Sequence, residues 1–206
     1  MNTKPSQPTG WDQRFAAEAY IFGTAPNAFL AAQAGLLRRG MRALAIADGE
    51  GRNGVWLAEQ GLDVLTVDSS RAGIAKAQRL AAQRGVSIRA LCADIETWDW
   101  SGGPFDVIAA IFIQFASPPL RSKIFTRIKE SLVPGGLLLL EGYRPEQLAY
   151  RTGGPPIAEN LYTADMLRAA FSDFEILQLK EYDAVISEGT AHSGMSALVD
   201  LVARKP

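Results

Sequence analysis

The chain has 206 residues, of which 48% are hydrophobic and 21% charged, enough apolar material for one domain with a sizeable core. A formal net charge of −1, with basic residues scattered along the chain, argues against the basic stripe by which proteins neutralise nucleic-acid phosphates. The single cysteine, Cys92, and single histidine, His192, exclude an intrachain disulfide framework and a Cys/His zinc site, so no metal is expected.

The opening "MNTKPSQPTG" reads as a loose lead-in over residues 1–10, turn-rich and without the apolar core of a signal peptide. No stretch is long and apolar enough to span a bilayer, so the expectation is a soluble cytoplasmic protein with no membrane partner. Trp11 to Gly23 reads as a short helix ending at the glycine. Pro26 then opens a second helix that stops at Gly40, with Arg38 and Arg39 in its last turn, where cations favour the helix dipole.

From there short apolar runs alternate with amphipathic segments. "RALAIA" is a strand, followed by a glycine loop and the helix "NGVWLAEQ". "LDVLTVD" and the helix "SRAGIAKAQRLAAQRG" follow, then strands "SIRALCAD" and "FDVIAAIFI", the helix "SPPLRSKIFTRIKESL" and the strand "GGLLLLEGY". Continuous apolar strands separated by helices predict a parallel sheet covered on both faces. The last quarter changes character. "TADMLRAAF" is a helix capped by Thr163, and "FEILQLKEYDAVI" and "SALVDLVARK" are strands joined by "SEGTAHSGM". That connection is too short for a helical crossover, so the two strands pair antiparallel. "RTGGPP", from Arg151 to Pro156, reads as a loop at the site rather than a domain boundary.

The glycine loop contains Gly49-Glu50-Gly51-Arg52-Asn53-Gly54, which satisfies G-x-G-x-x-G. Alone the motif is ambiguous, because any tight strand-to-helix connection favours glycine. Asp68, at the end of the second strand, either starts the next helix or accepts both ribose hydroxyls of a nucleoside cofactor. An NAD-dependent oxidoreductase would normally continue with a parallel strand and a substrate domain. This chain ends in a helix and an antiparallel pair.

That order of elements resembles the class I S-adenosylmethionine-dependent methyltransferases, and four segments carry the resemblance: "AIADGEGRNG", "LTVDSS", "CADIETWDW" and "LVPGGLLLLEGY". It implies an α/β fold with a Rossmann-like seven-stranded sheet, helices on both faces and an antiparallel last strand. A single domain over 1–206 is implied, with a helical lid over 1–40 and the core over 41–206. The implied cofactor is S-adenosylmethionine, with S-adenosylhomocysteine as product. Further segments, "YIFGTAPNAFL", "EGRN", "LEGYRPEQLAYRTGGPP" and "EGTAHSGMSALVDLVA", resemble the bacterial tellurite-resistance and thiopurine-methyltransferase-like branch, nearly the whole chain from Trp11 onward.

By that resemblance Ala47, Asp48, Gly49, Gly51 and Asn53 belong to the cofactor loop, Asp68 and Ser69 to the ribose, Asp94 to the adenine amino group, and Ile95 and Ile111 to the walls around the cofactor. Two positions depart from the family's D-x-G-x-G-x-G. Ala45 and Ala47 stand where the acid and first glycine usually are; Ala47 is expected in an ordinary backbone conformation. Asp48 is the alternative holder of the cofactor's ammonium. Asn53 is an N-cap by type, and Arg52 reads as a surface or supporting residue. Trp11, Arg14, Tyr20 and Phe22 are lid candidates that otherwise only pack the first helix, and Arg14's fork suits the cofactor's carboxylate.

On the substrate side stand His192, Tyr143 and Gln114, with Arg144 and Tyr162 beside them. Gln114 is open between substrate contact and loop hydrogen bonding. His192 is open between surface decoration and function, and Cys92 reads as a buried core thiol. The expected activity is methyl transfer to a small-molecule acceptor, such as a thiol or a chalcogen species, by in-line displacement. The site has to align the reactants and exclude water. A thiol, with a reference pKa of about 8.5, is partly ionised at neutral pH and needs no catalytic base. The alternative is a non-catalytic cofactor-binding or regulatory domain that keeps the fold. The absence of an Asn-Pro-Pro-Tyr segment after the fourth strand counts against a nucleic-acid substrate. Monomer and homodimer both remain open.

Overall fold

The computed structural model describes residues 10–100 and 102–206; the expected lead-in falls, apart from Gly10, outside them. Seven strands, β1 (Arg42–Ile46), β2 (Asp63–Asp68), β3 (Arg89–Cys92), β4 (Phe105–Ile111), β5 (Leu132–Tyr143), β6 (Glu175–Glu188) and β7 (His192–Arg204), form one sheet in the order β3-β2-β1-β4-β5-β7-β6. β1 to β5 pair in parallel, and β7 runs antiparallel to both β5 and β6, as the short connection requires.

The apolar runs are continuous because both faces of the central strands are covered. Leu44 and Ile46 of β1 pack into one core cluster and Ala43 into the other; in β5, Leu138 and Leu140 face the first and Leu139 the second. This is the two-residue alternation of an extended chain. The first cluster is closed by Ile124, Phe125 and Ile128 of α5 (Pro118–Ser131) and by Leu167 of α7 (Ala164–Ala170) with Phe171 after it. The second is closed by Phe29 and Leu30 of α2 (Ala28–Ala32) and by Leu57 and Ala58 of α3 (Arg52–Glu59). α4 (Arg71–Arg84) begins at Ser70, whose Oγ accepts from Gly73 N at 3.0 Å, and ends at the left-handed Gly85. Thr163 caps α7 as expected, accepting from Met166 N at 3.2 Å.

Three expectations change. The first helix, α1, covers only Gly10–Phe15, because the chain after it is bonded elsewhere: Ile21 O accepts from Thr190 N and Ala191 N, and Phe22 N donates to Glu50. Main-chain bonds to the β6–β7 hairpin override helical pattern here. The second helix starts later and stops sooner. Asn27 is its cap, with Oδ1 accepting from Leu30 N at 2.9 Å, so Pro26 precedes the cap; the helix passes into a 3-10 turn at Ala34–Leu36. Cys92 is exposed rather than buried, since β3 is the sheet's edge strand.

The hairpin also corrects the position of His192. β6 and β7 extend until only Gly189, Thr190 and Ala191 remain in the turn, so His192 is the first residue of β7, opposite Glu188. Gly189 is required there: a Cβ would lie 2.3 Å from Ile21 O, and its φ is +71°.

Candidate active site

A cavity of about 400 Å³ opens at the carboxyl ends of β1 to β5, within the volume range of about 300–1,000 Å³ for small-molecule sites. It lies where the strand order reverses between β1 and β4, the crevice in which open α/β sheets bind ligands.

The floor is the glycine loop. Ala47 is not in an ordinary conformation: its φ is +48°, the left-handed region where the family's glycine would sit without strain. The loop is held in that shape from several sides. Gly49 N donates to Asp68 Oδ2 at 2.8 Å, while Asp48 Oδ2 accepts from Gly54 N at 2.9 Å and from Thr66 Oγ1 at 3.0 Å. Gly51, at φ +89°, is the N-cap of α3 and runs so close to α4 that a Cβ would lie 2.4 Å from that of Ala77. Asn53 is therefore not the cap. It sits one residue into the helix, and its Oδ1 accepts from Asn27 N at 3.0 Å, tying the N-terminal segment to the loop. Of the two readings of Arg52, the surface one fails: the residue is buried, and its Nη2 donates to Glu188 Oε2 at 2.7 Å.

The acids expected at the strand ends do line one half of the cavity. Asp68 Oδ1 accepts from Ser70 N at 2.8 Å, and burial raises its pKa. Ser69 is beside it. Asp94 is exposed, with Oδ1 accepting from Glu96 N, and Ile95 is buried next to it. Burial pushes the Asp48 carboxyl up to about 6, and its Oδ1 has no hydrogen-bond partner among the described residues.

The other half is aromatic and basic. The His192 ring lies 4.5 Å from that of Phe22, 4.6 Å from Phe112 and 5.6 Å from Tyr143 between centroids. Burial, reinforced by the Arg52 and Arg14 charges, lowers the His192 pKa to about 3, so the imidazole is neutral at physiological pH. Arg14 lies over Trp11 at 4.5 Å; Trp11 stacks on Phe15, Phe15 meets Phe22 edge to face, and all three rings line the cavity. Burial holds the Tyr143 phenol above its ordinary range; its hydroxyl makes no well-formed hydrogen bond, the approach to Ser196 falling short of that geometry. Gly154 packs against the Tyr143 ring, where a Cβ would come within 2.7 Å, so "RTGGPP" forms a wall of the cavity. Ile111 lines it too.

Gln114 resolves toward hydrogen bonding. Its Nε2 donates to Tyr143 O at 2.8 Å and its Oε1 accepts from Tyr143 N at 2.7 Å, which positions Tyr143. Three expected residues are elsewhere. Tyr20 donates its hydroxyl to Lys76 O and packs against α3 and α4, outside the cavity. Arg144 pairs with Glu146 and Asp183, and Tyr162 lies in the core beneath Gly142.

The sequence reading missed the polar network behind the aromatic half. Glu188 Oε1 accepts from Asn27 Nδ2 at 3.0 Å and from Ala28 N at 3.2 Å, while its other oxygen holds Arg52. Asn27 Nδ2 also donates to Glu141, which stands directly opposite Asp200 across β5 and β7. Burial and then the Asp200 charge hold Glu141 well above the carboxylate range. These groups come from distant parts of the chain, so no local spacing signals them.

Residues 43–136 match the methyltransferase domain family. A carboxy-S-adenosyl-L-methionine synthase from Nautilia profundicola is 27% identical over 123 residues, which cover 60% of this chain and 51% of that protein. Among solved structures, TehB from Haemophilus influenzae superposes with a TM-score of 0.72 at 17% identity, over 95% of this chain and 66% of that one. A TehB-like S-adenosylmethionine-dependent methyltransferase from Corynebacterium glutamicum does so with a TM-score of 0.62 at 21% identity, over 95% and 94%. The chain thus spans about half the length of the curated relative. By its matched domain and its sheet order, the chain resembles the class I S-adenosylmethionine-dependent methyltransferases, and its fold is that of the TehB proteins.

Proposed function

We propose that the protein transfers a methyl group from S-adenosylmethionine to a small-molecule acceptor, a thiol or a chalcogen species. The observation that carries this reading is the meeting of Asp48, Asp68, Ser69, Asp94 and Ile95 along one half of one cavity. Those acids accept hydrogen bonds, and an adenosyl-methionine offers donors to match: an ammonium, two ribose hydroxyls and an adenine amino group. Asp48 Oδ1, buried and without a partner, fits the ammonium. Asp68 fits the ribose, Asp94 the amino group, and Ile95 and Ile111 the faces of the base.

When bound, the cofactor supplies an electrophilic methyl group on a sulfonium. The chain's residues bind and orient it, and the rings of Phe22, Phe112 and Tyr143 exclude water from the acceptor half. Neutral His192 has too low a basicity to draw a proton from an acceptor at physiological pH, which favours acceptors that ionise by themselves. Residues 10–40 serve as the lid through Trp11, Arg14 and Phe22. Among the described residues no helix is long and apolar enough to cross a membrane.

The non-catalytic alternative is not favoured: Ala47, where the family has glycine, adopts the conformation the loop needs, and the cavity is open. Calorimetric titration with S-adenosylhomocysteine tests the proposal: saturable binding is expected, and no binding at millimolar ligand defeats it. Asp68→Ala is expected to weaken that binding at least tenfold, and unchanged affinity would remove Asp68 from the ribose role.

A further inference from the structure

Behind the cavity lies a polar cluster that the methyl transfer described above does not use. Glu141 of β5 and Asp200 of β7 stand directly opposite one another and are 2% and 4% exposed. The Tyr182 hydroxyl of β6 lies 3.3 Å from Glu141 Oε1 and 3.4 Å from Asp200 Oδ1. It has one proton to donate, so it serves one carboxyl at a time. Lys180, opposite Asp200 on β6, is exposed and lies over the Tyr182 ring at 4.9 Å rather than bonding to the acid. Two facing carboxylates buried in this way repel, and a proton held by one and accepted by the other relieves the repulsion. Burial raises both pKa values, and the Asp200 and Glu188 charges raise that of Glu141 further. The pair is tied to the closed form of the site. Asn27 Nδ2 donates to Glu141 and to Glu188, and Glu188 also holds Arg52 and Ala28 N. Just beyond Glu188, Thr190 N and Ala191 N donate to Ile21 O, and the His192 ring packs on Phe22.

We propose that Glu141 and Asp200 share a single proton at neutral pH, and that this proton latches the β6–β7 hairpin and the N-terminal segment over the cavity. The latch belongs to the fold; its control of turnover rests on the methyl-transfer reading. Loss of the proton to hydroxide places a second charge between β5 and β7. Both strands are paired on each side, β5 with β4 and β7, and β7 with β5 and β6, so neither can yield. Glu188 is the third acid of the cluster and ends β6, the edge strand, so the hairpin end is what moves away. Arg52, Asn27 and Ala28 N then lose their acceptor, and His192 and Phe22 separate, which admits water to the site. The other groups facing the cluster do not offset the new charge. Tyr143 and Tyr182 are phenols held above their ordinary range by burial, Arg52 is paired with Glu188, and Lys180 is in solvent. The sign follows from the raised pKa values: the closed form is favoured at low pH and loses ground as pH rises.

His192 is the chain's only histidine, so its rate of carbethoxylation by diethyl pyrocarbonate reads the opening in the ligand-free protein. The rate is taken relative to N-acetylhistidine, corrected for that compound's own protonation. It is expected to rise at least tenfold from pH 7 to pH 9 in the wild type. In Asp200→Asn and in Glu141→Gln a second charge cannot arise, and the rise is expected to stay below about twofold. Hydrogen exchange of the Ala28, Thr190 and Ala191 amides is expected to lose protection over the same range, while Leu139 in β5 keeps it. Infrared spectra of the wild type are expected to show a protonated carboxyl at pH 7 that disappears at alkaline pH and is missing in Glu141→Gln. A pH-independent His192 rate in the wild type overturns the latch. A rise retained in Asp200→Asn, or no such infrared band at pH 7, overturns the shared proton. Loss of Leu139 protection together with the hairpin amides would mean global unfolding and overturns the proposal too. Failure to bind S-adenosylhomocysteine is a separate result: it overturns the methyl-transfer reading and leaves these ligand-free measurements to decide the latch. Should circular dichroism show Asp200→Asn unfolded, Glu141→Gln and the wild-type spectra decide.

Discussion

Replacing Glu188 by Gln removes one charge from a buried pair and keeps the side chain's size. The carboxylate accepts three hydrogen bonds, from Arg52 Nη2, Asn27 Nδ2 and Ala28 N. The side chains of Arg52 and Glu188 are only 7% and 10% exposed, so solvent cannot replace what is lost. An amide can still accept through one oxygen, but its NH2 group then faces either the guanidinium or the Asn27 amide, donor against donor. Removing one partner of a buried pair typically destabilises by about 3–5 kcal/mol. The hydrogen bonds that Gln retains place the expectation near the lower end, about 3 kcal/mol, or roughly a hundredfold in the folding equilibrium. The exposed pair Arg127–Glu130, at 56% and 57% exposure, is the control, and Glu130→Gln is expected to cost less than about 0.5 kcal/mol. Urea unfolding followed by circular dichroism reads both: the midpoint of Glu188→Gln falls while the slope stays the same. A loss below about 1 kcal/mol, or one abolished by 1 M salt, would refute the reasoning, since screened surface charges behave that way.

Ala47→Gly removes the left-handed strain, about 1–2 kcal/mol, against about 0.5–1 kcal/mol of extra chain entropy in the unfolded state. Tm is therefore expected to rise by about 2–4 °C in a thermal scan, and a fall would show that the strain is not there. Asp48, pushed up to about 6, is protonated below that pH and then cannot hold an ammonium as a carboxylate. S-adenosylhomocysteine affinity measured by calorimetry is expected to fall about tenfold at pH 5 relative to neutral pH. Asp48→Asn should flatten that dependence, and a pH-independent wild type would exclude the ammonium role. Because the folded pKa of Asp48 is raised, its contribution to stability is present at low pH and is lost as pH rises from 3.8 through about 6. For His192 the sign is opposite: its folded pKa of about 3 lies below the ordinary 6.5, so the unfolded state binds the extra proton and stability falls as pH drops below 6.5 toward 3. The imidazole resonances of His192 in NMR spectra are expected to stay unshifted from pH 8 to pH 5, and a titration near 6.5 would mean that the ring is solvated.

Order along the chain by itself determines much of this protein. Apolar runs alternating with helices dictate a covered parallel sheet, because both faces of such strands must be buried. The short link before the last strand dictates an antiparallel pair. Asp68 and Asp94 were legible because strand ends in such a sheet converge on one edge, so position along a strand translates directly into position at the site. The left-handed Ala47 was not legible: sequence gives alanine its usual conformation, and only the bonds from Asp48 and Asp68 to the loop impose the other. Nor was the burial of Arg52, the extension of β7 to His192, or the packing of Tyr20 against α3 and α4 outside the cavity. The placements of Arg52 and Tyr20 depend on partners more than fifty residues away, Glu188 and Lys76, and no period or motif encodes a contact of that range, while β7 reaches His192 by pairing across the hairpin with Glu188. The acidic end of the cavity belongs to the sequence; the aromatic and basic end exists only because the N-terminal segment, the glycine loop and the final hairpin fold onto one another.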